Sequence, residues 1–262
     1  ATGVVLESGE EIEAGAVLSS VDPNLTFLRF LEPGVLDETF LDEVRRYKYR
    51  GSSGKVNLAL DALPELACKP GIGEWLRGAI SFSPSVDHME RAYDDAKYGR
   101  FSRRPYIDCI IPTLVDPSMA PPGKHTMSCF VQYAPYHLAD GAVWDDAMRD
   151  AFGEAVVSTL EERFPDIRSK ILHRQVLSPL DIERITGLTE GNIFAGELSL
   201  EQLFFNRPVP GWARYETPVR DLWMCGSATH PGGGIMGAPG RIAAMEFLGT
   251  RSLRRRAERG SA

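Results

Sequence analysis

The sequence has no apolar run long enough to cross a bilayer, no basic patch followed by an apolar stretch at its start, and no surplus of positive charge. A spanning helix needs roughly 20 consecutive apolar residues, so no transmembrane segment is expected, and no signal peptide is visible. With 29 Lys and Arg against 36 Asp and Glu, the formal net charge is −7. Such a chain repels phosphate backbones, which sets nucleic acid aside as a partner. The arginines that exist gather in one place, where Arg251, Arg254, Arg255, Arg256 and Arg259 form a basic tail suited to the negative end of a helix. Cysteine and histidine are scarce as well. Cys68, Cys109, Cys129 and Cys225 form no C-x-x-C pair, and three of them sit in or beside apolar runs as small buried residues do, which points to a reducing compartment, the cytoplasm or, in a eukaryote, the mitochondrial matrix. His88, His125, His137, His173 and His230 lack any H-E-x-x-H or Cys/His ligand spacing, so no metal is expected.

What is present is an ordinary globular composition, 43% hydrophobic and 25% charged over 262 residues, enough for one large domain or two modest ones. The opening GVVLESGEEIEAGAVLSS reads as strands at Val4 to Glu7, near Ile12 and at Ala16 to Ser19, so the chain is expected to begin inside a sheet with pairing partners upstream. Asp22 followed by Pro23 fits a helix start. Leu36, Phe40, Leu41 and Val44 share a helical face that the GSSG at 51–54 closes as a turn. Val56, Leu58 and Leu60 alternate with Asn57 and Ala59, and Met127, Cys129, Val131 and Tyr133 with Ser128, Phe130 and Gln132; these and the runs from Tyr106 and Ile171 predict a sheet of about four antiparallel strands. Ala147, Ala151, Phe152, Ala155, Val156 and Leu160 mark a long helix packing on it. Residues 178–220 begin with a capped helix in SPLDIERITGL and continue as a glycine- and proline-bearing loop, which in a compact domain is usually functional.

The sharpest pattern is DLWMCGSATHPGGGIMGAPGRIAAMEFLG at 221–249, a buried strand, a glycine loop and a helix. That order brings backbone N–H groups close to an anionic ligand. Gly232, Gly234 and Gly237 satisfy G-x-G-x-x-G formally, but a dinucleotide fingerprint needs an acidic residue on a later strand about 20 residues on. Gly54-Lys55 and Gly123-Lys124 lack the rest of a P-loop, and no G-x-S-x-G elbow occurs, which removes nucleotidase and hydrolase readings.

The stretch CGSATHPGGGIMGAPGR, preceded by SPLDIERITGL, GNIFAGELSLEQLFFNRP and VPGWARYETPVRDLW, resembles the C-terminal part of the phytoene-desaturase-like FAD-dependent oxidoreductases, of the pyridine nucleotide-disulfide oxidoreductase domain-containing protein 2 type. The resemblance runs from the opening strands to about Gly249. It implies an α+β chain within an α/β flavoenzyme: an antiparallel substrate-domain sheet with helices, plus the last strand and helix of an FAD-binding Rossmann-type domain. By it, residues 1–34 end the FAD-binding domain, 35–185 form the substrate domain, 186–250 return to close on the flavin, and 251–262 are the basic tail. The implied cofactor is FAD, met by Gly226, Ser227, Gly234, Ile235, Met236, Gly237 and Ala238, with Asn192 to Glu197 at the pocket edge. Two positions depart from the family pattern, Ala195 where His is common and Ile242 where a small polar residue is common.

The implied activity is hydride removal from a small apolar or isoprenoid-like substrate, with the cofactor doing the hard chemistry and no catalytic side chain assigned. The dinucleotide fingerprint is absent, so the chain is expected to need an N-terminal FAD-binding half or a partner chain, and to be inactive alone. His230 reads as a loop residue fixing the turn before Pro231 or as an acid or base, and Cys225 as packing. Two other readings stay open: a noncatalytic module that docks a partner or binds an apolar ligand, and a structural α+β domain whose glycine loop is a packing corner.

Overall fold

Three short strands open the chain, β1 (Gly3–Val5), β2 (Glu11–Glu13) and β3 (Val17–Ser19), followed by a π-helical turn at Asn24–Arg29 and helix α1 (Glu38–Arg46). Next come β4 (Ser53–Leu60), β5 (Ile80–Phe82), α2 (Val86–Lys97), β6 (Tyr106–Ile110), β7 (His125–Gln132) and α3 (Asp146–Glu161). The one-turn α4 (Ile167–Lys170), β8 (Ile171–Leu177) and α5 (Pro179–Thr186) complete the middle of the chain. A long loop then leads to β9 (Leu222–Met224) and α6 (Ala238–Gly260). The computed structural model describes residues 1–233 and 235–260, with side chains through residue 250. Gly234 and the arginine side chains of the expected basic tail lie outside the described residues.

The chain divides into two compact units, Arg50–Gly191 and Ala1–Tyr49 together with Asn192–Ala262. Helix α1, grouped by the sequence reading with residues 35–185, belongs to the second of these.

The Arg50–Gly191 unit is a five-stranded sheet in the order β5-β6-β7-β4-β8, antiparallel at every pairing. Alternation dictates its two faces. Val56, Leu58 and Leu60 of β4, Met127, Cys129 and Val131 of β7, and Ile107 and Cys109 of β6 are buried against Phe152, Val156 and Leu160 of α3. Each such side chain contributes about 1.5–3 kcal/mol by leaving water. The opposite face is half-buried and polar, tied across strands by Lys55 Nζ donating to Ser128 Oγ at 2.8 Å and Asn57 Nδ2 to Gln175 Oε1 at 2.9 Å.

Four expectations change here. The sheet has a fifth strand, β5, whose three residues are too few to show an alternation. The GSSG is not a turn, because Ser53 and Gly54 already belong to β4; a Cβ on Gly54 would sit 2.6 Å from the Phe152 ring, so the glycine admits α3 close to the strand. Ala147 and Ala151 are exposed, and the buried face of α3 runs instead through Phe152, Gly153, Val156, Val157, Thr159 and Leu160. Helix α2 was not anticipated, since Ala92 is its only buried residue. At the far end of the unit, α5 starts as expected with a capping box in which Ser178 and Asp181 satisfy each other's backbone N–H, and ends on Gly187 in the left-handed conformation.

In the other unit β1 and β2 form an antiparallel ribbon, whereas β3 leaves it and pairs in parallel with β9, Val17 opposite Leu222 and Ser19 opposite Met224. Asp22 does cap the segment after Pro23, its carboxylate accepting from Leu25 N at 3.0 Å, but the turn that follows is π-helical. Phe27 and Phe40 meet edge to face at 4.9 Å and, with Val44, Leu222, Met224 and Ala228, build the core of this unit. Among the described residues no helix is long and apolar enough to cross a membrane.

Candidate cofactor-facing site

Ligands of parallel sheets bind beyond the carboxyl ends of the strands, where neighbouring connections part. The parallel pair β3–β9 has such an end. Cys225 N still donates to Ser19 O at 2.8 Å, one residue past the ladder. At the next residue the two chains touch: a Cβ on Gly226 would lie 2.1 Å from Ser20 O, so only glycine lets them stay together before they diverge. Thr229 then donates its N–H and Oγ1 to Gly226 O at 3.0 and 2.8 Å, turning the chain. Beyond it Ile235 is fully exposed and Met236 is 66% exposed. Gly237 adopts φ 67° with open space where a Cβ would point, and its carbonyl accepts from Arg241 N at 3.1 Å as α6 begins at Ala238. The first turn of a helix directs unpaired N–H groups and partial positive charge forward. Of the residues expected to meet a cofactor, Gly226 and Ser227 thus stand at the strand end, while Ile235, Met236, Gly237 and Ala238 stand at the loop tip and helix start.

A residue without a role in the sequence reading holds these parts together. Arg207 has no solvent exposure and spends its guanidinium entirely on backbone carbonyls. Nε donates to Gln202 O at 2.7 Å, Nη1 to Phe194 O at 3.1 Å and Ser227 O at 2.6 Å, and Nη2 to Gly196 O at 2.9 Å and Glu197 O at 3.2 Å. Burial lowers this guanidinium from an intrinsically very high value, against weaker opposing pulls from Tyr47 and Tyr49. One cation thereby fixes the 194–202 loop to the carbonyl directly after Gly226. The signal that could have found it is thin, an arginine before a proline in a loop with no acidic residue beside it.

The expected pocket edge is well ordered. Asn192 is buried, donating from Nδ2 to Tyr49 O at 2.7 Å and accepting from Phe194 N at 2.8 Å. Tyr47 OH donates to Ala195 O at 3.3 Å, and burial pushes the Tyr47 hydroxyl up to about 12. The Tyr49 hydroxyl is raised further, by burial first and then by Asp22. Neither phenol serves as an acid or base near neutrality. Ala195 itself is buried with φ 52°, facing the core beside Val209 and Leu222. Ile242 packs against Tyr215, Trp223 and Ala243, so its apolar side chain anchors α6 to β9.

His230 stacks on Phe205 at 4.7 Å and 16°, its carbonyl accepts from Tyr215 OH at 2.8 Å, and its Nδ1 is buried without a partner. The Cys225 thiol, 3.5 Å from Ser19 O, is raised by burial, as suits a packing residue.

No family model matches the chain. The chain is 40% identical over 255 residues to pyridine nucleotide-disulfide oxidoreductase domain-containing protein 2 of Rattus norvegicus, and 40% identical over 250 residues to that of Mus musculus. The chain is a relative of these oxidoreductases. The alignments cover 92% and 93% of it but 43% of each relative, so it spans less than half the length of the curated proteins it matches. A 4,4'-diapophytoene desaturase of Staphylococcus aureus is 29% identical over 140 residues, 52% of this chain and 27% of that protein. Among solved structures, an oxidoreductase from Methanosarcina mazei matches 94% of this chain and 45% of its own at TM-score 0.55 and 19% identity. A Pyrococcus furiosus protein matches 94% and 44% at TM-score 0.50 and 17% identity. The structural likeness gives the fold, helices with an antiparallel sheet; the relatives are oxidoreductases, one of them named a desaturase.

Proposed function

We propose that this chain is the C-terminal part of an FAD-dependent oxidoreductase of the dehydrogenase or desaturase kind, in which residues 226–238 meet the flavin and residues 50–191 form the substrate domain. The observation that carries this reading is the parallel β3–β9 pair, with Gly226 wedged against Ser20 O and followed by an open loop and the start of a long helix. The site fits the cofactor. Gly237 has free space above it, and the α6 N-terminus offers positive partial charge where an electron-rich ring edge would be stabilised. FAD, when bound, would supply the hydride acceptor. This chain's own groups would do the rest: Gly226, Ser227, Gly237 and Ala238 would hold the ring by their backbone, Ile235 and Met236 would cover it from water, and Arg207 would keep the loop in register. Gly234, outside the described residues, belongs to the same proposed segment.

The remaining half of such an enzyme would come from an N-terminal FAD-binding region or a partner chain. Exposed Val4, Val5, Ile12 and Leu18 on the opening strands support a covering by more polypeptide. The substrate proposed is small and apolar, and one relative bears the name of a 4,4'-diapophytoene desaturase. The test is the visible absorbance of the purified chain, alone and after co-expression with polypeptide encoded upstream. Flavin bands appearing only with the added polypeptide are expected. A soluble complex of the two that carries no flavin refutes the reading and leaves a noncatalytic docking module.

A further inference from the structure

Two of the four cysteines face each other inside the sheet. Cys109 of β6 and Cys129 of β7 are direct partners in the antiparallel ladder, and neither has any solvent exposure. Opposed residues of an antiparallel pair hold their Cα atoms about 4.5–5.5 Å apart and point to the same face. A disulfide accommodates Cα separations of about 4.4–6.8 Å, so the ladder register places the two cysteines within the span that such a bond bridges. The neighbouring Cys109 thiol, together with burial, raises the Cys129 thiol well above its ordinary range, against a weaker opposing pull from Lys55. Cys68 is exposed and Cys225 lies in the other unit, which leaves this the one cysteine pair joined by a sheet register among the described residues.

We infer that Cys109 and Cys129 are a reversible disulfide site, closed by a peroxide and opened by a thiol reductant. In the closing reaction one sulfur gives two electrons to the peroxide O–O bond, yielding a sulfenic acid and one water. The second thiol attacks that sulfur, the S–S bond forms, and the hydroxyl leaves with the released proton as a second water. Two thiols and one hydrogen peroxide thus become one disulfide and two waters. A reducing thiol reverses the bond by exchange through a mixed disulfide.

Burial and the raised thiol keep the pair protonated while the sheet is closed, so the reaction is gated by opening of β6 from β7. That opening has a short route. The outer neighbour of β6 is only the three-residue edge strand β5, whereas β7 is held on its inner side by the eight paired residues of β4. Once formed, the bond lies in the core and closes the chain between the two strands into a loop, which restricts the unfolded state and stabilises the sheet.

The experiment treats the full chain with hydrogen peroxide, unfolds it, alkylates free thiols and maps peptides by mass, in parallel with a Cys68→Ser, Cys225→Ser variant. The expected result is loss of two alkylatable thiols, a linked Cys109–Cys129 peptide, an upward shift of the thermal midpoint, and return of all three to the starting state on reduction. The inference is overturned if both core thiols stay alkylatable, or if they over-oxidise without the linked peptide. Should the double variant not fold, the peptide map of the unaltered chain decides between these outcomes alone.

Discussion

Replacing Arg207 by methionine tests the organisation of the site most directly. The arginine is fully buried and satisfies the carbonyls of Phe194, Gly196, Glu197, Gln202 and Ser227. Methionine keeps much of the volume and loses every donor. A buried acceptor left unpaired costs about 1–3 kcal/mol, but five such costs do not add, because the loop relaxes and water enters as they accumulate. A single hydrogen bond to a charged group is worth about 1.5–3 kcal/mol, so with several lost together a loss of at least about 3 kcal/mol is expected. Arg207→Lys retains charge but brings three donors on one nitrogen in place of a planar fork, so about half of the loss is expected. An exposed control, Arg45→Met, gives up only surface ion pairs to Glu38 and Asp42 and should change little. Urea unfolding reads the global change. Hydrogen exchange reads the local one, with faster exchange expected across 194–202 and 227–229 in Arg207→Met. A loss below about 1 kcal/mol, or unchanged exchange in both segments, would refute the view that this cation organises the loop.

Three further outcomes follow from the same geometry. Gly226→Ala drives a methyl to 2.1 Å from Ser20 O; since a backbone atom cannot swing aside, a loss of at least about 2–3 kcal/mol is expected in urea unfolding, and a silent substitution would mean that β3 and β9 do not run together. Ile235→Ser with Met236→Ser alters residues that are exposed in the chain alone, so its stability should hold while flavin content in the co-expressed complex falls; retained flavin content would remove both residues from the cofactor face. The Asp37 carboxyl accepts from Thr39 at the start of α1 and is held below the ordinary carboxylate range by its hydrogen bonds there. A depressed folded pKa contributes stability that is present above the unfolded value and is lost as pH falls through the folded one. An acid titration by circular dichroism should therefore show less loss of helix in Asp37→Asn, which caps without titrating, than in the unaltered chain, and identical curves would argue against the cap.

How much of this was legible depends on whether a contact leaves a local trace. The strands β4, β6 and β7 announced themselves because one face of each is buried in the core shared with α3 while the other is more exposed, so burial is written as a period of two. The same logic failed for α3, where Ala147 and Ala151 count as apolar but are small enough to stand in water, and for α2, which buries a single alanine. The parallel partner of β3 was beyond reach, since nothing in VLS indicates a strand at the other end of the chain. The candidate site divides along the same line. Gly226 and Gly237 were named through the resemblance of their segment, and the structure adds the local reason for a glycine at each, a close approach to Ser20 O at one and a positive φ at the other. Arg207 was not, because its partners are main-chain oxygens, which every residue carries. A buried cation satisfied by carboxylates can be sought as a charge pattern; one satisfied by carbonyls exists only after the chain has folded around it. The polar hub of the loop and the apolar registry of the sheet are thus fixed by different information, and substitutions at 207 and at 226 should disturb the loop through separate contacts that meet at the Ser227 carbonyl.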